Sequence, residues 1–215
     1  MINILIHGLG QNEKSWNEVE KELLIKEIKV EKPNLYVMMK NKEFNYDTLY
    51  KQFVDYCNGF DEKLNLCGLS LGGILALEYT KHYPNKVNSL TLIGVPYQIP
   101  KTLFKIQNFV FHLMPKSTFE KMGLLKKDFI SLVSSMSDID IAYKVKEIQC
   151  ETLILCGEKD KTNMDSAKQF HQEIKNSCLK IINQSSHEVN ADNPRELSST
   201  ICEFWKSMIS YEINN

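Results

Sequence analysis

Five short apolar runs punctuate the chain, at residues 2–6, 64–67, 89–95, 152–156 and 179–182. Each is too short for a typical helix and too uniformly apolar to keep a wet face, which predicts strands buried on both sides of a sheet. A sixth, weaker run at 29–36 is broken by Pro33, whose missing N–H limits sheet pairing. The segments between repeat apolar residues every three or four positions, at 16–28, 46–57, 74–82, 165–174 and 194–209, the spacing of one helix face. Asp192-Asn193-Pro194 puts a capping side chain ahead of a proline, a start signal for the last of these helices. Strand and helix alternate, so the expected fold class is α/β, with a doubly wound, mostly parallel six-stranded sheet.

The alternation lapses from 97 to 149. Leu103, Phe104, Ile106, Phe109, Val110, Phe111, Leu113 and Met114 precede Pro115, and Gly123 and a Ser- and Met-rich stretch follow. This pattern predicts an inserted helical cap at 97–149 on a core made of 1–96 and 150–215. A chain of 215 residues has room for one such core and no second full domain.

Charge removes several function classes. Twenty-six basic residues face 27 acidic ones for a net charge of -1, and Arg195 is the only arginine. With no positive field and little bidentate recognition to offer, no nucleic-acid partner is expected. The first residues, MINILIHGLG, carry no basic leader pattern, and no stretch reaches the roughly 20 apolar residues that span a bilayer. A cytoplasmic location without membrane attachment is the expectation. Six cysteines without a C-x-x-C spacing are expected to be free thiols, with Cys67 and Cys156 as small core residues at strand ends.

Gly68-Leu69-Ser70-Leu71-Gly72 follows the run 64–67 and opens a helix near Leu71. In this G-x-S-x-G the turn from strand to helix is tight enough to strain the serine backbone, and glycines two residues to either side remove the collisions that result. Ser70 is therefore the candidate nucleophile. A serine hydroxyl needs a base to take its proton. Of the five histidines, His82 and His171 fall in helical segments, His112 falls in the insertion, and His7 ends a buried strand, where a structural hydrogen bond suits it better. His187 follows the last strand, at the sheet edge where such folds collect site residues.

The imidazole in turn needs a carboxylate to fix its tautomer. Asp160, in Gly157-Glu158-Lys159-Asp160, lies a few residues beyond a strand end and is the first choice, with Glu158 as the fallback. The loop His7-Gly8-Leu9-Gly10 can bring main-chain N–H groups close to the serine, so the backbone N–H groups of Leu9 and Leu71 are the expected oxyanion donors. Each such donor is worth roughly 3 kcal/mol when aimed at the developing alkoxide.

Together these four segments, spread over nearly the whole chain, resemble the α/β-hydrolase superfamily, in its subgroup of small esterases, lactonases and thioesterases. The resemblance implies a minimal α/β-hydrolase fold that starts directly at the strand leading to His7, with strand order 2-1-3-4-5-6 in this chain. It implies acyl transfer to water by Ser70, His187 and Asp160, with no metal and no organic cofactor. The substrate would be a small-molecule ester or thioester, admitted by the inserted cap, whose Phe104, Phe109, Phe111 and Met114 are the candidate pocket residues. The protein would act as a monomer or homodimer. A ligand receptor that keeps the triad but turns over little is the alternative function.

Overall fold

The computed structural model describes residues 1–98, 111, 114–121 and 123–213. Among these, the strands β1 (Ile2–Ile6), β2 (Leu64–Leu69), β3 (Val87–Ile93), β4 (Glu151–Gly157) and β5 (Ser177–Ile182) form one parallel sheet in the order β1-β2-β3-β4-β5. The helices are α1 (Asn17–Ile25), α2 (Leu35–Met38), α3 (Tyr46–Asn58), α4 (Leu71–His82), α5 (Lys116–Lys121), α6 (Lys126–Ser135), α7 (Lys161–Glu173), α8 (Val189–Asp192) and α9 (Pro194–Ile213).

The inner strands read as continuous apolar runs because two cores grip the sheet, one on each face. Ile4, Ile6, Leu64, Leu66, Leu90, Leu92, Ile154 and Cys156 point into a core with Leu49, Phe53, Leu75, Tyr79 and Phe170 from α3, α4 and α7. Leu5, Cys67, Leu69, Ile93, Leu153 and Leu155 point the other way, onto Trp16, Val19 and Leu23 and onto Leu197, Ile201 and Trp205 of α9. Alternate residues of each strand thus serve opposite layers. Each fully buried leucine or isoleucine contributes on the order of 1.5–3 kcal/mol.

Among the described residues the sheet has five strands, not six. The run at 29–36 contributes a single parallel bridge, Ile4 to Glu31, in which the Leu5 N–H donates to Glu31 O (2.9 Å) and the Glu31 N–H donates to Asn3 O (2.7 Å). Pairing stops there because Pro33 has no N–H to offer and Asn34 turns the chain at once into α2, accepting the N–H groups of Tyr36 and Val37 on its side chain. The expected order 2-1-3-4-5-6 therefore loses its first member, and its place beside β1 is held by one residue.

Helix α7 also starts earlier than its apolar spacing indicates. Asp160, not Asp165, is its N-cap, accepting the Asn163 N–H at 3.2 Å. Helix α9 begins at Pro194 as expected, with the Asn193 side chain accepting the Glu196 N–H at 3.2 Å.

Between β3 and β4 the described residues include the helices α5 and α6. Helix α6 packs beside α3, whose Tyr46 N–H donates to Ser135 Oγ (2.8 Å). All six cysteines are free, and Cys67 and Cys156 are fully buried. Burial pushes the Cys156 thiol up to about 11. Among the described residues, no helix is long and apolar enough to cross a membrane.

Candidate active site

The carboxyl ends of the strands lie along one edge. Register pairs Ile6 with Gly68, Leu69 with Ile93, Ile93 with Leu155 and Gly157 with Ile182. The turns leaving those ends carry Leu9, Ser70, Gly94, Asp160 and His187, so sheet topology gathers residues that span most of the sequence.

Ser70 sits between β2 and α4 at φ 51, ψ -113. A non-glycine residue held there costs on the order of 1–3 kcal/mol, sustained only because the surroundings over-determine it. Its N–H donates to Ile93 O at 2.8 Å, and its carbonyl accepts the Ile74 N–H at 3.0 Å. The close approach explains the two flanking glycines: a Cβ on Gly68 would lie 2.3 Å from the Gly72 carbonyl, and one on Gly72 would lie 2.3 Å from Ile6 O. Leu71 opens the helix, so no carbonyl of its own helix can reach its N–H.

The loop after β1 closes as a turn in which the Gln11 N–H donates to Gly8 O at 3.2 Å and Gly10 adopts φ 81. The Gly10 N–H donates to the Tyr36 hydroxyl (2.8 Å), and the Gly8 N–H reaches Gln11 Oε1 at 3.4 Å. Leu9 occupies the second turn position, whose N–H the turn itself does not use. Gly8 stands against Ser70, since a Cβ there would lie 3.6 Å from Ser70 Cβ.

His7 anchors this loop from below. Its Nδ1 lies 2.9 Å from Gly8 O and its Nε2 accepts the Leu35 N–H at 3.1 Å, which assigns the neutral ring with the proton on Nδ1. Burial lowers its pKa against the raising effect of the Gly8 carbonyl. The Tyr36 ring meets His7 edge-on at 5.2 Å, and burial raises its phenol to about 12.

His187 Nδ1 lies 2.8 Å from Asp160 Oδ2. Asp160 is 6% exposed. Burial alone would raise its pKa, but the hydrogen bonds from His187 and Asn163 outweigh it and hold the carboxyl below the ordinary carboxylate value. Asn163 gives Asp160 Oδ1 its N–H (3.2 Å) and lays its Nδ2 across both oxygens at 3.1 and 2.9 Å. Glu158 turns elsewhere, accepting the Gln184 N–H at 2.8 Å. Gly94, at φ 56, packs beneath the imidazole, and a Cβ there would lie 3.0 Å from His187 Nδ1. Ser70 and His187 therefore flank the same pair, Ile93-Gly94.

The expected site residues Ser70, Asp160, His187, Leu9 and Leu71 all leave this edge. Phe104 and Phe109 lie outside the described residues. Phe111 packs edge-on against Phe129 at 5.0 Å, and Met114 lies half-buried against the same core. Sequence reasoning missed Gln11, Gly94, Asn163 and Asn190. The spacing of Asp160 and Asn163, cap to third helical residue, was the available signal for one of them.

No protein-family model matches the chain. It is 22% identical to a Bacillus subtilis protein named as a 2-succinyl-6-hydroxy-2,4-cyclohexadiene-1-carboxylate synthase, over 95% of this chain and 90% of that protein. It is also 22% identical to the monoacylglycerol lipase ABHD6 of Bos taurus, over 74% of this chain but only 59% of the lipase. Among solved structures, a thermophilic esterase from Thermogutta terrifontis superposes with a TM-score of 0.76 at 17% identity, covering 97% of this chain and 90% of the esterase. A bromoperoxidase from Bacillus anthracis gives a TM-score of 0.78 at 19% identity, covering 95% and 91%. Such low identities show the fold alone, an α/β-hydrolase fold with a mostly parallel sheet flanked by helices, and leave the substrate open.

Proposed function

We propose that the protein is a serine hydrolase that cleaves a small carboxylic ester or thioester through an acyl-enzyme on Ser70. The observation that carries this reading is the 2.8 Å contact of His187 Nδ1 with the buried Asp160 carboxylate, at the strand edge that also holds the strained Ser70 turn. A carboxylate on Nδ1 leaves Nε2 bare to accept a proton. The esterase and lipase names among its relatives support the same chemistry.

In this mechanism Ser70 Oγ attacks the carbonyl carbon as its proton passes to His187 Nε2. The oxyanion is met by the N–H groups of Leu9 and Leu71. Collapse breaks the bond to the alcohol or thiol, which leaves with the proton from His187. Water then loses a proton to the same nitrogen, attacks the acyl group, and frees a carboxylic acid and Ser70. The segment 97–149 supplies the substrate pocket, because the chain leaves β3 at Gly94, directly beneath His187.

The test is turnover of p-nitrophenyl acyl esters of increasing chain length by wild type and Ser70→Ala, with fluorophosphonate labelling of both. Loss of turnover by about 10⁶-fold, with loss of the label, is expected. The preferred chain length then sizes the pocket. Turnover and labelling that survive Ser70→Ala refute the assignment, and a labelled wild type that turns over no ester or thioester favours the receptor reading.

A further inference from the structure

The two loops on either side of Ser70 are joined by a pair of buried side-chain amides that the proposed mechanism does not use. Gln11 Nε2 donates to Asn190 Oδ1 at 3.2 Å, and Asn190 Nδ2 donates back to Gln11 Oε1 at 3.2 Å. Gln11 is 7% exposed and Asn190 is 1% exposed. Asn190 Nδ2 also donates to Ser15 O at 3.1 Å. The residues lie at opposite ends of the sequence, so nothing local brings them together.

Their positions give the pair its meaning. Gln11 closes the turn whose second residue is Leu9, and its Oε1 also takes the Gly8 N–H. Asn190 lies three residues after His187, in α8, with Val189 buried beneath it. The other end of that loop is clipped by Asp192, whose Oδ2 accepts the Ser186 N–H at 2.7 Å and the Ser186 hydroxyl at 2.5 Å. His187 is thus held between two fastened points, one of them attached to the oxyanion loop. A reciprocal amide pair is directional on both strokes, so it fixes spacing and orientation in a way that apolar contact does not.

We infer that Gln11 and Asn190 are positioning residues, an amide clasp that sets the oxyanion N–H of Leu9 relative to His187 across the nucleophile. The inference rests on the serine-hydrolase reading for its kinetic consequence, while the clasp's hold on His187 is a separate, measurable property. Misplacement by about 1 Å costs on the order of 10²-fold in rate, so loosening either loop should reach kcat before it reaches substrate affinity.

The experiment compares wild type, Gln11→Leu, Asn190→Leu and the double variant for kcat and KM on p-nitrophenyl acetate, for Tm, and for the His187 Cε1–H resonance by NMR. Each single variant strands one amide and should lower Tm by about 5 °C. Removing both amides should restore only part of that loss, because neither amide is then stranded but the Gly8 N–H and Ser15 O lose their side-chain partners. The expected result is a kcat at least tenfold lower in all three variants, the double included, with KM within threefold and the His187 resonance displaced. Recovery of kcat together with Tm in the double variant would overturn the inference, since the pair would then only pack the loops. If wild type turns over no ester, the hydrolase reading fails by itself. The clasp is then judged by the resonance, which supports it when displaced in both single variants and overturns it when unmoved.

Discussion

Replacing Asp160 with asparagine separates the catalytic role we propose for this side chain from its structural one. The carboxylate does two tasks at once: Oδ1 caps α7 by accepting the Asn163 N–H, and Oδ2 accepts from His187 Nδ1. Asparagine caps a helix as well as aspartate does and has the same shape, so the first task survives. The second does not. A new NH2 group would face His187 Nδ1–H and the Asn163 Nδ2 donor, 2.8 and 2.9 Å from the atom it replaces. The cheapest relief is for the imidazole to move its proton to Nε2, the nitrogen that accepts from Ser70 in the proposed mechanism. Loss of kcat by about 10⁴-fold is expected, equivalent to roughly 5 kcal/mol of activation free energy. Stability should fall far less, by about 1–2 kcal/mol for exchanging charge-assisted bonds for neutral ones, or a Tm lower by about 3–6 °C. Steady-state hydrolysis of a p-nitrophenyl ester and a thermal melt read both quantities. Glu158→Gln is the control and should leave kcat within about threefold, because Glu158 binds Gln184 N–H instead. An Asp160→Asn protein retaining a tenth or more of wild-type kcat would refute the assignment.

Gly94→Ala should lower Tm and kcat together, since the position is at φ 56 and the new methyl would lie 3.0 Å from His187 Nδ1; the backbone cost alone is about 1–2 kcal/mol, and an unchanged melt would contradict it. Asn163→Leu removes the amide that spans both Asp160 oxygens and should raise the Asp160 pKa, read by carboxyl NMR titration against wild type. Acid stability follows from the same groups. Asp160 and Asp192 both titrate below the ordinary carboxylate value of 3.8 in the folded protein, Asp192 because of its hydrogen bonds from Ser186. Their contribution is therefore present above the unfolded value and lost as pH falls through about 4 toward the folded values. Tm should be flat from about pH 7 to 5 and drop below about 4, with a shallower drop in Asp192→Asn.

Much of this molecule is written in local pattern. Burial on both faces makes a parallel strand continuously apolar, so β1 could be read at Ile2–Ile6 and the others to within a few residues. The strained turn at Ser70 was legible for a steric reason: a strand-to-helix turn this tight tolerates nothing larger than glycine at 68 and 72, and that requirement marks the sequence. That His187 and Asp160 lie near one another followed from their places after strand ends, because topology sends those ends to one edge.

Other features depend on which distant residues meet. The run at 29–36 has strand-like composition, yet Pro33 and the Asn34 cap leave only Glu31 paired beside β1, and no local pattern weighs that competition. That His187 meets Asp160 while Glu158 accepts the Gln184 N–H is visible only in the folded chain. Glutamine 11 and asparagine 190 look like ordinary polar loop residues until the sheet brings β1 and the chain beyond β5 together around Ser70. Sequence alone determines what repeats or what sterics forbid nearby. Long-range hydrogen-bond partners are decided only in the folded chain, because their complementarity exists in space and leaves no periodic trace.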